Sequence, residues 1–477
     1  MSRRPGGGLR IKLGAGVALA VAMATAAGML LVVVGASLAV AGEDGPVVSG
    51  ADRLAVVAAE AQREVEALRG WRFKRRVDVG VYTQEQMLAF VKSPFDETDE
   101  AKEKEGLAEA SFRMIGLIPE DFDLEDATAK VFVNLAPPGI YNHHTKELRV
   151  LERAEGDYDA FSVRVTLVHE LTHALDDQLF DLAKSGKEGT ATSDEEQVWG
   201  AVVEGSGVTV QERYRAAATA SGKVTAGEVQ ESSASAMEQM QAMADAPPYP
   251  GVFFARFPSG VRFLQRGARA LKKEGAGGAA GGMFQLACVA DAVRQAMVDP
   301  PRSSEQILHP EKYWDEDAKD EPVVVNDEDV EKMLGPLGLS VIHRDTLGEL
   351  LCAVVTSPAD KRINPMAMPM PGYWTTEGAK GWGGDRFYLL RPGHAESPGE
   401  GPRCGLWITL WDTTDDRDEF VAAYESHRSP ASRAMMNLGS RAAVYFFGFN
   451  EATRRGVESG LQAAGPGLTR GGALWAK

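Results

Sequence analysis

The chain has 477 residues, enough to bury a large core and to divide into two or three domains. Its 51 basic residues against 68 acidic ones leave a net charge of −17, which argues against nucleic acid as a partner, because phosphate contacts need concentrated Lys and Arg. Three cysteines, Cys288, Cys352 and Cys404, have no metal-binding spacing, and at most two of them could pair.

Arg3, Arg4, Arg10 and Lys12 precede an uncharged stretch from Leu13 to Gly42, and Glu43-Asp44 follow it. Residues 1–45 therefore read as a signal anchor or signal peptide that carries the rest of the chain across the cytoplasmic membrane. Ala39-Val40-Ala41 offers a cleavage site, but the length of the segment favours a retained single-pass anchor. With no Cys nearby, a lipid anchor is excluded. Ala51 to Leu68 then has helical periodicity. Arg76 to Val81 reads as a strand, and Thr83 to Val91 as a helix capped by Thr83 and Gln86. Thr128 to Asn134 and Leu148 to Leu151 read as strands, with a turn at Pro137-Pro138-Gly139 between them. Glu147 to Leu151 is expected to be the sheet edge that receives a peptide backbone. His143-His144, on a turn beside it, read as exposed loop residues.

From Asp159 to Leu182 the chain has no Pro or Gly, and Phe161, Val165, Val168 and Thr172 recur at helical spacing. Within that helix lies His169-Glu170-Leu171-Thr172-His173. Imidazoles four residues apart share a helix face and can hold one Zn²⁺, while Glu170, one step round, can reach a water activated by the ion. The plainer alternative, two core histidines, requires His and Glu to be buried unpaired, which is costly. A catalytic site needs a third protein ligand and an open position. Glu204 is the expected third ligand: Ser193 and Glu196 would cap a helix that presents it among Gly200, Ala201, Gly205 and Gly207, small residues that allow close approach. Asp177 competes for that place and reads better either as a carboxylate that orients an imidazole N–H or as half of a solvated Asp176-Asp177 pair. The metal set is thus His169, His173 and Glu204, with Glu170 as general base.

Glu274 to Gly282 is a low-complexity spacer. Trp314 to Glu331 is acidic but lacks the ligand spacing and turn Gly of an EF-hand, so a solvated loop is expected. His309, or Tyr313 one turn on, is a candidate donor to a tetrahedral oxyanion, set against a structural role for the His309-Pro310 turn. Trp382 to Arg386 reads as a structural joint, with a tight turn at Gly383-Gly384 and with Asp385 and Arg386 tying strands together. Beyond residue 335, strands at Phe387–Leu390, Leu406–Trp411 and Ala442–Phe447 and helices at Asp415–Ser426 and Glu451–Leu461 make a small α+β unit. Cys352, in an apolar run, reads as a buried small hydrophobe.

His169 to Gln178 (HELTHALDDQ), Val203-Glu204-Gly205, Pro300 to Pro310 (PPRSSEQILHP) and Gly381 to Phe387 (GWGGDRF) resemble successive motifs of an uncharacterised bacterial family of envelope proteins with a gluzincin-type site. The resemblance runs from about Val77 to Gly448. In gluzincins, of which thermolysin is the familiar member, two His and a downstream Glu bind zinc, which implies His169, His173 and Glu204 here. Two positions depart from the pattern. Ser206-Gly207 stands where an acid and Ala are usual, which weakens support behind the metal, and Phe257-Pro258-Ser259 lacks an aromatic after Pro.

The expectation is an α+β protein with a zincin-like catalytic domain over 46–335 and a smaller C-terminal α+β domain over 336–477. It would be an exported zinc-dependent hydrolase, a metallopeptidase acting on peptide or protein substrates. Two alternatives stand beside it: a non-enzymatic envelope protein braced by a metal, and an amidase acting on a non-protein cell-wall amide.

Overall fold

The computed structural model describes residues 50–469 except 93–98, 125–126, 128–137, 154–156, 185–190, 245–247, 272–288, 365, 394–402 and 429–432. The membrane segment, the strand expected at Thr128–Asn134 with Pro137 of the turn after it, the Glu274–Gly282 spacer and Cys288 all lie outside the described residues. Among those described, no helix is long and apolar enough to cross a membrane.

The fold is mixed α+β with two sheets. Helix α1 (Gly50–Arg69) spaces Leu54, Val57, Ala58, Ala61 and Val65 along one buried face, the stripe of an amphipathic helix. That stripe shares a core with β1 (Asp78–Tyr82), β3 (Glu147–Leu151) and the helix that carries the two histidines. Helix α2 (Gln84–Lys92) starts as expected, since Thr83 Oγ1 accepts from the Gln86 amide at 3.2 Å and Gln86 Oε1 accepts from the Thr83 amide at 2.9 Å.

In the three-stranded sheet, β3 is central. It runs parallel to β1 on one side and antiparallel to β2 (Gly139–Asn142) on the other. The edge role expected of Glu147–Leu151 is therefore corrected. Leu148 and Val150 are buried, Arg149 is held by Asp78 and Glu147, and the strand is paired on both sides, so among the described residues the edge beside the histidine helix is β2.

The second sheet has five strands in the order β4 (Leu339–Asp345), β5 (Trp382–Pro392), β6 (Cys404–Trp411), β8 (Ala442–Phe447) and β7 (Arg433–Leu438). Every neighbouring pair is antiparallel. Side chains alternate between its faces. Phe387, Leu389, Trp407, Tyr445 and Phe447 face a core shared with α3 (Asp99–Ile115) and with helices at Gly348–Val355 and Thr414–His427. Tyr388, Leu390, Leu406, Ile408 and Phe446 face helices at Asp327–Leu334 and Glu451–Ala464.

Several sequence expectations change here. The Gly383-Gly384 pair makes a bulge inside β5, not a turn, and a Cβ on Gly384 would lie 2.3 Å from the Val323 carbonyl. The acidic run from Trp314 is a loop only in part. Its last residues begin the helix Asp327–Leu334, where Asp327 pairs with Arg386 at 2.7 Å and accepts from Tyr388. That helix starts before residue 335 yet packs on the C-terminal sheet. Cys352 is fully buried, as expected.

Candidate metal centre

Helix α4 (Phe161–Phe180) is buried along most of its length, and His169 and Glu170 are 0% exposed. Four residues apart, His169 and His173 bring their Nε2 atoms to 2.9 Å, with the rings nearly perpendicular at 84°. Helix α5 (Ser193–Ala220) supplies Glu204, whose Oε2 lies 3.3 Å from His169 Nε2 and 3.5 Å from His173 Nε2. Three ligand atoms arranged tetrahedrally around one Zn²⁺ at about 2.0–2.1 Å sit about 3.3 Å from one another, so the donor set fits that ion. The fit has a second sign. Two imidazole nitrogens directed at each other across 2.9 Å repel unless a proton or a cation lies between them.

Without a cation, burial lowers the His169 pKa, with His173 adding to the effect. Burial acts the same way on His173, but the Glu204 carboxylate outweighs it and raises the pKa. Burial would raise Glu204, yet its bonds to both imidazoles bring it down to about 2. The carboxylate is thus anionic and ready to ligate.

The small residues of α5 have distinct reasons. A Cβ on Gly207 would meet His169 Cε1 at 2.7 Å and His173 Cε1 at 2.9 Å, so only glycine lets this face seat both rings. Gly205 packs on Gly260 of a crossing helix (Arg256–Ala270), where an added Cβ would lie 2.4 Å from the Gly260 carbonyl carbon. The helix starts one residue earlier than expected: the capping box is Thr192 with Glu195, not Ser193 with Glu196. Ser193 bonds to Asp345 instead, and Glu196 is half-buried.

Glu170 Oε2 accepts the Tyr141 amide of β2 at 2.8 Å, while Oε1 is buried with no hydrogen-bond partner. Burial pushes its carboxyl up to about 8. Asp177 does not orient an imidazole as expected. It accepts from Tyr141 Oη at 2.7 Å, Lys146 Nζ at 2.8 Å and the Leu182 amide at 2.9 Å, which ties β2 and the end of α4 together. Its neighbour Asp176 is the carboxylate behind the site, bonded to Arg69 of α1 and to Ser206. The Ser206 departure thus leaves one buried acid, Asp176, matched to one buried Arg.

Other candidates sit elsewhere. His309 Nε2 faces Glu349 at 3.1 Å, and Tyr313 donates to the Asp299 carbonyl at 2.6 Å. The oxyanion role expected of either has no contact behind it among the described residues. His143 is half-buried rather than exposed, with its pKa held at about 4 by burial and by His144. A second acidic group, Glu305, Asp320 and Asp412, already holds a cation: Lys312 Nζ lies 2.5, 2.8 and 3.1 Å from the three carboxylates.

Residues 336–453 match the family model of a domain of unknown function, DUF8575. No curated protein and no solved structure matches the chain. The matched residues take in all five strands of the larger sheet and begin well beyond His169, His173 and Glu204.

Proposed function

We propose that this chain is a zinc-dependent hydrolase, a metallopeptidase held outside the cytoplasmic membrane by its N-terminal segment or released there after cleavage. The observation that carries the reading is the buried triad of His169, His173 and Glu204 with the unpartnered Glu170 Oε1 beside it. His169, His173 and Glu204 would hold the ion, and the half of the chain that carries them would be a zincin-like catalytic unit. A bound Zn²⁺ supplies a Lewis acid that polarises the scissile carbonyl and lowers the pKa of water to about 7.

The chain's own residues would handle the proton. The Tyr141 amide fixes Glu170 through Oε2, which leaves Oε1 to take a proton from the attacking water and pass it to the leaving amine. With a cation held at the triad, the Glu170 carboxyl would titrate below its buried value, towards the range a general base needs. Strand β2, which among the described residues pairs only with β3, is where an extended peptide backbone would pair.

One observation favours a different reading, a metal that only braces an envelope protein: His169 is 0% exposed and His173 5%. A brace would close the coordination with a fourth protein ligand, and among the described residues His, Cys, Asp and Glu supply three. Digestion of a peptide library by the purified protein tests the proposal, with cell-wall amides in a parallel arm. Cleavage that disappears in Glu170→Gln supports it. No cleavage in either arm by zinc-loaded protein favours the brace, and cleavage confined to the second arm makes the enzyme an amidase.

A further inference from the structure

His169 directs Nε2 at the triad, and its other ring nitrogen, Nδ1, is buried without a hydrogen-bond partner. A ligating imidazole donates that second N–H to an acceptor, which fixes the tautomer and the ring. Asp177 is committed to Tyr141, Lys146 and Leu182, and Asp176 to Arg69 and Ser206. Neither serves His169.

The stripe of α5 that faces the rings offers another group. Glu204 is at the triad, Gly207 lies against both imidazoles, and Gln211 follows one turn later on the same side. Gln211 is 2% exposed. Its amide nitrogen donates to Glu212 at 3.2 Å, which leaves the carboxamide oxygen as the group it can offer as an acceptor, and its side chain lies beside the His169 ring. Resting on the zinc reading of the triad, we infer that Gln211 is a positioning residue whose carboxamide oxygen accepts the Nδ1–H of His169 when Nε2 is on the metal.

The consequence is chemical. A neutral carboxamide makes the imidazole a weaker electron donor than a carboxylate would, so the site keeps one ligating carboxylate and a more electrophilic ion.

Zinc competition against a chromophoric chelator, on the full-length protein, reads the effect. Gln211→Met, which keeps length and removes the acceptor, should weaken zinc binding about 10- to 100-fold. The visible spectrum of its cobalt-loaded form should shift, while the metal-free protein melts like wild type. Gln211→Glu should bind zinc at least as tightly as wild type. Wild-type affinity in Gln211→Met, or weakening in Gln211→Glu, overturns the assignment. Should Gln211→Met fail to fold, the Gln211→Glu affinity decides alone. A wild-type protein that binds no zinc overturns the triad reading itself, whereas a zinc-binding wild type with an unaffected Gln211→Met overturns only the role of Gln211.

Discussion

Two buried carboxylates, each in a motif visible in the sequence, are treated in opposite ways by this fold. Asp385, in GWGGDRF, receives the indole N–H groups of Trp382 at 3.1 Å and Trp407 at 3.0 Å and the amides of Leu347 and Gly348 at 3.1 and 2.9 Å. Both of its oxygens are saturated. Glu170, in HELTHALDDQ, has one oxygen bonded and one left alone, and the imidazoles beside it have unpartnered Nδ1 atoms. A saturated buried charge holds a fold together, whereas an unsaturated one costs folding energy that a ligand or a reaction must account for.

Removing each carboxylate should therefore have contrasting results. Asp385→Ala leaves four buried donors without an acceptor and should cost about 3–5 kcal/mol, read as a fall in the urea midpoint. Glu170→Gln should change stability by about 1 kcal/mol or less and so barely move that midpoint, since the amide keeps an acceptor for Tyr141. An equal loss in both would erase the contrast.

The contrast extends to pH. At the start of α5, burial raises the Asp194 pKa to about 8, despite its two bonds from the Ser304 amide. A carboxyl whose folded pKa lies above its unfolded value of 3.8 favours the folded state below that value and loses this contribution as pH rises towards 8. Wild-type stability should thus decline between about pH 4 and 8 by an amount on the order of a few kcal/mol. Asp194→Asn should flatten the decline in unfolding curves at pH 5 and pH 8. An unchanged slope would mean that Asp194 is not the group responsible.

The smallest effect is at the cap. Thr192→Ala should cost about 1 kcal/mol through loss of the bond to the Glu195 amide. A loss that is instead carried by Glu196→Ala with Thr192→Ala neutral would restore the register read from the sequence.

What the sequence disclosed follows the range of each interaction. The histidine helix, Glu204 and the helices at 50–69, 414–427 and 451–464 rest on local periodicity and spacing, and they occur where expected. The meeting of His169 and His173 was legible because a four-residue spacing is itself three-dimensional information on a helix. Strand order was not. Whether β3 or β2 lies at the edge depends on β1, more than 60 residues away, and β4 and β7 escaped notice because Ser340, His343, Arg344 and Asn437 break their apolar alternation. The partners of Asp176 and Asp177 are likewise long-range, with Arg69 more than 100 residues from Asp176. Gln211 carried no sequence signal beyond its distance from Glu204, seven residues along one helix face.

Zinc per chain, measured by elemental analysis on wild type, Glu170→Gln and Glu204→Ala purified side by side, tests the central claim most directly. The account predicts about one zinc in wild type and in Glu170→Gln, and its loss in Glu204→Ala, because Glu204 ligates and Glu170 does not. Undiminished zinc in Glu204→Ala, or its loss in Glu170→Gln, would contradict it.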